Sequence, residues 1–182
     1  MKKTRCVRGF SLVEVILAAA LSSIVVFGIF MIFQVGNEQT QLSQTLMTLK
    51  DTVRESLYKM AQEIRQSSPG RITIGPGGNT ITFSVPDPGS PVSANFQIDW
   101  TSAHSITYAL GGTGGRQLVR TDNTSGLSSV IADNITGVQF TGNAAQPNVI
   151  AITLSAQRTL ISGRQIPAVP LRMTAQAEVR NS

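Results

Sequence analysis

Between Phe10 and Phe33 the chain runs for 24 residues with Glu14 as the sole ionisable side chain. As a helix rising about 1.5 Å per residue, that run would reach roughly 36 Å, enough to cross the hydrocarbon layer of a bilayer with some tilt. A carboxylate at such depth costs about 2–3 kcal/mol even on the lenient insertion scale, so Glu14 requires a partner. Ahead of the run stand Lys2, Lys3, Arg5 and Arg8 with no acidic residue among them. That cationic excess holds the N-terminus in the cytoplasm and directs the remainder outward.

Two plainer explanations compete. A secretory signal peptide has a basic start, an apolar core of about 7–15 residues and a small-residue cleavage site, which Ala18-Ala19-Ala20 would supply. However, the apolar run continues more than a dozen residues past Ala20, and Glu14 would interrupt the core. An uncleaved signal anchor is the other. A lipoprotein role for Cys6 lacks the apolar segment that would have to precede it.

The segment Arg8-Gly9-Phe10-Ser11-Leu12-Val13-Glu14-Val15 resembles the type III signal of type IV prepilins and type II secretion pseudopilins. A short basic leader, Gly9, Phe10, Glu14 and the long apolar tract occur together and in that order. The resemblance implies that a prepilin peptidase cuts between Gly9 and Phe10 and methylates the new N-terminal nitrogen of Phe10. Glu14 would then be the fifth residue of the mature chain. The physical chemistry is consistent with this. Cleavage creates an ammonium at Phe10, which can meet the Glu14 carboxylate of a neighbouring subunit, offset part of both desolvation costs and fix the axial register. Glu14 is thereby an assembly residue rather than a catalytic one.

Composition supports a single domain plus an anchor in 182 residues. The formal charge of +5 suggests nucleic-acid binding only until it is located. Four of the 15 Lys and Arg lie in the leader, leaving 11 against 10 acidic residues, a net of +1. Nucleic acid is therefore an unfavoured partner. Cys6 is the single cysteine and departs with the leader, so the mature chain forms no disulfide.

Beyond Phe33, Val35, Leu42, Leu46, Leu49, Val53, Leu57, Met60 and Ile64 recur at helical spacing, with Gln41, Lys50, Asp51, Arg54, Glu55 and Glu63 between them. Ser67-Ser68-Pro69-Gly70 ends the pattern. One helix from about Phe10 to Ser67, roughly 85 Å long, is expected. Gly28 and Gly36 can loosen it locally. Many prepilins carry a proline in the membrane half; this chain has none there, so the associated kink is not expected. A coiled coil would also fit the spacing of the second half, but packing against the chain's own strands is preferred, because those strands need a surface to cover.

From Arg71 the composition turns to strands and loops. Thr80 to Val85 alternates as a half-buried strand does, between turns at Gly75 to Asn79 and Pro86 to Pro91. Asn95 to Trp100, Ser105 to Leu110 and Arg116 to Thr121 read as three more strands, the last two joined as a hairpin by Gly111 to Gly115. A further strand begins at Val138 and Phe140, the next covers Val149 to Leu154, and the last covers Leu171 to Arg180. The expected fold is α+β and pilin-like, a long N-terminal helix packed on an antiparallel β-sheet. Its divisions are a leader at 1–9, a transmembrane and filament-core helix at 10–33, an amphipathic helix at 34–68 and an antiparallel globular domain at 69–182. Within the family, Ile106 to Leu110, Gln117 to Arg120, Ile131 to Phe140 and Val179-Arg180-Asn181 look most like J-type minor pseudopilins and W-type minor pilins.

Little suggests catalysis. His104 is the single histidine, which rules out a multi-histidine metal site and fits a strand start better. No serine sits in a nucleophile elbow. Gly111 to Gly115 lacks the Lys-Ser/Thr of a phosphate-binding loop. Asp87, Asp99, Asp122 and Asp133 lie in or near loops, without the clustered acidic loop of a calcium site. Trp100 and Tyr108 fit core or hairpin positions better than a sugar-stacking platform. Arg116 and Arg120 share a strand face and read as solvated side chains rather than a DNA patch. No cofactor and no metal is expected.

The resulting expectation is a minor pilin or pseudopilin without enzymatic activity, anchored in the bacterial inner membrane by one span. The leader would lie in the cytoplasm and the globular domain in the periplasm or outside, before entry into a filament. The resemblance implies as partners the prepilin peptidase, other major and minor pilins or pseudopilins, and an inner-membrane assembly platform; it also implies a part in starting assembly or forming the tip. The alternative is a tip-located binding module for exported protein, DNA or a surface, using the loops at Pro86 to Pro91 and Gly111 to Gly115.

Overall fold

The computed structural model describes residues 11–95, 97–143, 145–160 and 163–179. One helix, α1 (Leu12–Ile64), covers 53 residues. It contributes to two compact units, the first ending at Gln44 and the second beginning at Thr45. In the first unit, the large apolar side chains from Leu12 to Phe33 are 51% to 76% exposed. Among the described residues nothing covers them, and the segment is apolar on all sides with no single stripe. Ser23 Oγ donates to the Ala20 carbonyl at 2.8 Å and Thr40 Oγ1 to that of Gly36 at 2.9 Å.

The second unit begins with the remainder of α1, where the apolar positions narrow to one face. Leu49, Val53, Leu57, Met60, Ala61 and Ile64 are buried, while Asp51, Arg54 and Glu55 face solvent. Past Ile64 the ladder tightens into single turns, with Gln66 N–H donating to the Glu63 carbonyl at 3.0 Å and Ser67 N–H to that of Ile64 at 3.1 Å. Pro69 then opens a short 3-10 turn and ends the helix, as the Ser-Ser-Pro-Gly sequence implies.

Five strands follow in one antiparallel sheet, paired in sequence order: β1 (Ile72–Ile74), β2 (Thr80–Val85), β3 (His104–Gly111), β4 (Gln117–Asp122) and β5 (Leu127–Asp133). Alternation decides their faces. Ile81, Phe83, Ile106, Tyr108 and Leu118 point into the core shared with α1, and the opposite face carries hydroxyls. Thr73, Thr82, Thr107, Thr121 and Ser128 are aligned residue opposite residue across all five strands. A second antiparallel sheet holds β6 (Ile135–Asn143), β7 (Gln146–Thr159) and β8 (Gln165–Glu178). Val138, Phe140, Ile150, Ile152 and Leu154 join the same core.

A seam of polar contacts ties the sheets. Ile135 N–H donates to the Arg116 carbonyl and Gln157 N–H to that of Asn134, both at 2.9 Å. The Arg116 guanidinium donates to the Gln157 carbonyl at 2.9 Å and to Thr159 Oγ1 at 3.1 Å. Gln157 sits at the irregularity in the β7–β8 register, and its side-chain amide donates to the Pro167 and Ala168 carbonyls. Gly78 has φ of 73°, and a Cβ there would lie 2.7 Å from the Phe140 carbonyl oxygen, so the turn before β2 can lie on β6 only with glycine.

The long helix on antiparallel sheet is as expected, with three differences. Of the strand expected over Asn95 to Trp100, the described residues lie outside the two sheets and carry an isolated bridge between Val92 and Ile98. Three prolines precede it, and Asp87 and Asp99 draw the backbone into turns by accepting from Gly89 N–H and Thr101 N–H. The strands divide into two sheets. β1 and β5 add to those anticipated, since three residues are too few to show a pattern and Ser128-Ser129 blurs the alternation of β5.

Candidate functional site

Among the described residues, the N-terminal segment and the polar contacts under the globular core both set charge against apolar surroundings. At the first, Ser11 begins the helix. Its carbonyl accepts from Glu14 N–H at 3.0 Å and Val15 N–H at 3.2 Å. Glu14 therefore occupies the first turn of α1, where the helix dipole favours an anion. It is exposed, with apolar neighbours along the helix. Gly9 and Phe10, named from the sequence as the cleavage and methylation positions, lie outside the described residues. The helix that follows is long and apolar enough to cross a membrane.

The second place joins α1 to the five-stranded sheet. The Glu63 carboxylate accepts from Tyr108 Oη at 3.0 Å and from Arg120 Nε at 3.0 and 3.1 Å. Glu63 borders the apolar stripe one turn beyond Met60, while Tyr108 and Arg120 are opposite each other in register on β3 and β4. Burial, with Glu63 next to it, raises the Tyr108 hydroxyl well above the ordinary tyrosine range. Arg120 thus acts as a clamp between helix and sheet. Arg116 works in the seam described above, so neither arginine is the solvated side chain expected from the sequence. Sequence reading missed Glu63 because spacing alone does not distinguish a charge at the stripe's edge from one in solvent.

His104 does begin a strand, as expected, and its Nδ1 lies 2.8 Å from Asp122 Oδ2. The other Asp122 oxygen accepts from Thr124 N–H and Ser125 N–H at 2.9 and 3.2 Å. The hydrogen bond with His104, against the opposing effect of burial and joined by those two amides, holds Asp122 well below the usual carboxylate range. This arrangement caps the turn between β4 and β5. Asp133 accepts from Gln117 Nε2 at 2.7 Å. The structure thus engages Asp87, Asp99, Asp122 and Asp133 each in its own local turn or strand pair. Among the described residues, no group of three or more His, Cys, Asp or Glu is placed to hold a metal. Tyr108 is in the core, whereas Trp100 lies beneath the Arg71 guanidinium, 4.7 Å from its ring centre.

The decisive comparison concerns the N-terminus. Residues 4–30 match the family model of the prokaryotic N-terminal methylation motif. The N-terminus of the chain is similar to that motif, and the match ends within α1. The long helix on antiparallel sheets that follows is a pilin-like α+β architecture. The motif implies processing by a prepilin peptidase and assembly with other pilins. The J-type or W-type subtype has no separate support, since no curated protein and no solved structure gives a significant match to the chain.

Proposed function

We propose that the protein is a minor pilin or pseudopilin, cut between Gly9 and Phe10, methylated at the Phe10 nitrogen, and assembled through the apolar half of α1. The motif at residues 4–30, running into a helix whose apolar surface is left open, carries this reading. A surface of that kind needs lipid first and neighbouring helices later, which is the sequence of environments a filament subunit passes through. Glu14, as the sole ionisable side chain of the span, is the residue that pairs with the processed amine of a neighbour and sets register. The globular unit faces the periplasm, and the subunit helps to start assembly or forms the tip. Co-expression with an active prepilin peptidase tests the first step: intact and fragment mass spectra should place the mature N-terminus at Phe10 with one added methyl group. A chain that still begins at Met1, or that begins after Ala20, would contradict it.

Capture of a ligand at the tip is the second reading. Pro86, Pro88, Pro91, Val92 and Ile98 of the β2–β3 loop, with Gln66, line an open depression of about 290 Å³ that is mostly apolar. Shortening this loop would leave assembly intact and remove only cargo, DNA or surface binding if the loop serves as a receptor. Loss of assembly itself would count against that role.

A further inference from the structure

The three-stranded sheet turns a polar face away from the core. Val138, Phe140, Ile152 and Leu154 point inward, so Gly137, Gln139, Thr153 and Ser155, which alternate with them, lie on the other side. Strand pairing sets Gly137 opposite Ser155 and Ser155 opposite Arg172, and this row crosses β6, β7 and β8. Gly137 contributes no side chain, Ser155 a short one and Arg172 a long one, so the face is hollowed over β6 and β7 and bounded at β8. The turn from Gly75 to Asn79 bounds the other side. Gly78 seats that turn on β6, beside the Phe140 carbonyl and the Gln139 stem. The result is an open hollow of about 320 Å³ that Gly77 and Asn79 also line.

The polar groups here differ from those on the outer face of the five-stranded sheet. There the hydroxyls bond to one another, as Thr82 does to Thr107 at 2.9 Å and Thr121 to Ser128 at 3.0 Å. At the hollow, the side chains of Asn79, Gln139, Ser155 and Arg172 have no hydrogen bond or ion pair to any described residue. Thr153 is engaged, with Thr174 at 3.0 Å. Two amides and a hydroxyl, each able to donate and accept, thus converge with one guanidinium, and among the described residues no carboxylate lines the hollow.

Those groups select a ligand. One guanidinium without a second cation matches a single carboxylate, held by two parallel N–H···O bonds, and would leave a phosphate dianion half-neutralised. Groups that donate and accept match hydroxyls, which do the same. Backbone hydrogen bonds run within the sheet, so an extended peptide laid on this face would find no ladder, whereas a ring can lie flat on the glycine floor. Among the described residues no aromatic side chain lines the hollow to stack on a neutral sugar. We propose that the hollow binds a uronic acid unit of a polysaccharide, with Arg172 on the carboxylate and Asn79, Gln139 and Ser155 on the ring hydroxyls above Gly137. Because the hollow is open to solvent, linked sugars have room to leave it.

The probe is the methyl glycoside of glucuronic acid, whose blocked anomeric oxygen mimics the linkage in a chain, with methyl glucoside as its neutral counterpart. Each is titrated onto the full chain in detergent and followed by nuclear magnetic resonance shifts. Saturable shifts are expected at Asn79, Gly137, Gln139, Ser155 and Arg172, with the glucoside bound at least tenfold more weakly and the glucuronide weakening as salt is raised. Arg172→Gln should reduce glucuronide binding to the level of the glucoside. Gly137→Val should abolish binding of both while the amide-exchange pattern of β6 and β7 is retained, because a Cβ there lies 3.6 Å from Ser155 Cβ, an ordinary contact. No saturable shift, shifts centred elsewhere, or unchanged binding to the Arg172→Gln protein would overturn the proposal. Binding of N-acetylglutamate or of inorganic phosphate as tight as that of the glucuronide would overturn the sugar in favour of an acidic peptide or a phosphate.

Discussion

The two stretches of α1 have the same backbone and opposite relations to the rest of the chain. From Leu12 to Phe33 the large apolar side chains lie open, whereas from Leu49 to Ile64 they are buried against the chain's own sheets. Both contain Leu, Ile, Val and Met, but in the first these surround the helix, whereas in the second Lys50, Asp51, Arg54, Glu55, Lys59 and Glu63 confine them to one face. An all-round apolar helix has no preferred face and must be completed by lipid or by other helices, while a stripe one face wide is completed by a sheet of the same chain. One helix can therefore belong to an assembly at one end and to a fold at the other.

This contrast is open to direct tests in the solubilised protein. Met60→Ala removes a fully buried side chain and should lower the stability of the globular unit by about 2–5 kcal/mol in denaturant unfolding. Ile24→Ala, in the open stretch, should change that transition by less than about 0.5 kcal/mol. Equal effects would mean that the two stretches are not energetically distinct. A smaller loss is expected for Glu63→Gln, about 1–3 kcal/mol, because the buried Tyr108 hydroxyl and the Arg120 guanidinium lose an ionised acceptor. Combining it with Tyr108→Phe should cost less than the sum of the single changes, and strict additivity would show that the contact does not couple helix to sheet.

Smallest, and dependent on pH, is the effect of Asp122. Its folded-state pKa is depressed, so the stability it contributes is present above its unfolded value of about 3.9 and is lost as pH falls through the lower folded value. The stability gap between the parent protein and Asp122→Asn should therefore hold at neutral pH and close progressively below about pH 4. A gap that persists unchanged in strong acid would show that the carboxylate's charge is not what matters at the β4–β5 turn.

Much of this was legible in the sequence because it depends on local pattern. The span, Glu14 within it, the stripe ending at Ile64, the proline stop and the hairpin at Gly111 to Gly115 are set by neighbours a few residues apart. What escaped depends on partners far along the chain. Glu63 meets Tyr108 and Arg120 across separations of 45 and 57 residues, and no spacing rule connects them. Arg116 looked solvated because its acceptors, Gln157 and Thr159, arrive from the second sheet. Around Gln97 to Trp100 the alternation is strand-like, but the turns at Asp87 and Asp99 override it. The division into two sheets falls between β5 and β6, where the hydrophobic pattern marks no break.

The proposed role of the open stretch depends on Glu14 more than on any other side chain. The most direct test is incorporation of a Glu14→Gln protein into sheared filaments, measured against its membrane-bound pool in cells with an active prepilin peptidase. The account expects the variant to be inserted, cut at Gly9 and methylated at Phe10, yet to fall at least tenfold in the filament fraction for want of the charge that meets a neighbour's amine. Incorporation equal to the parent protein, with processing intact, would contradict it.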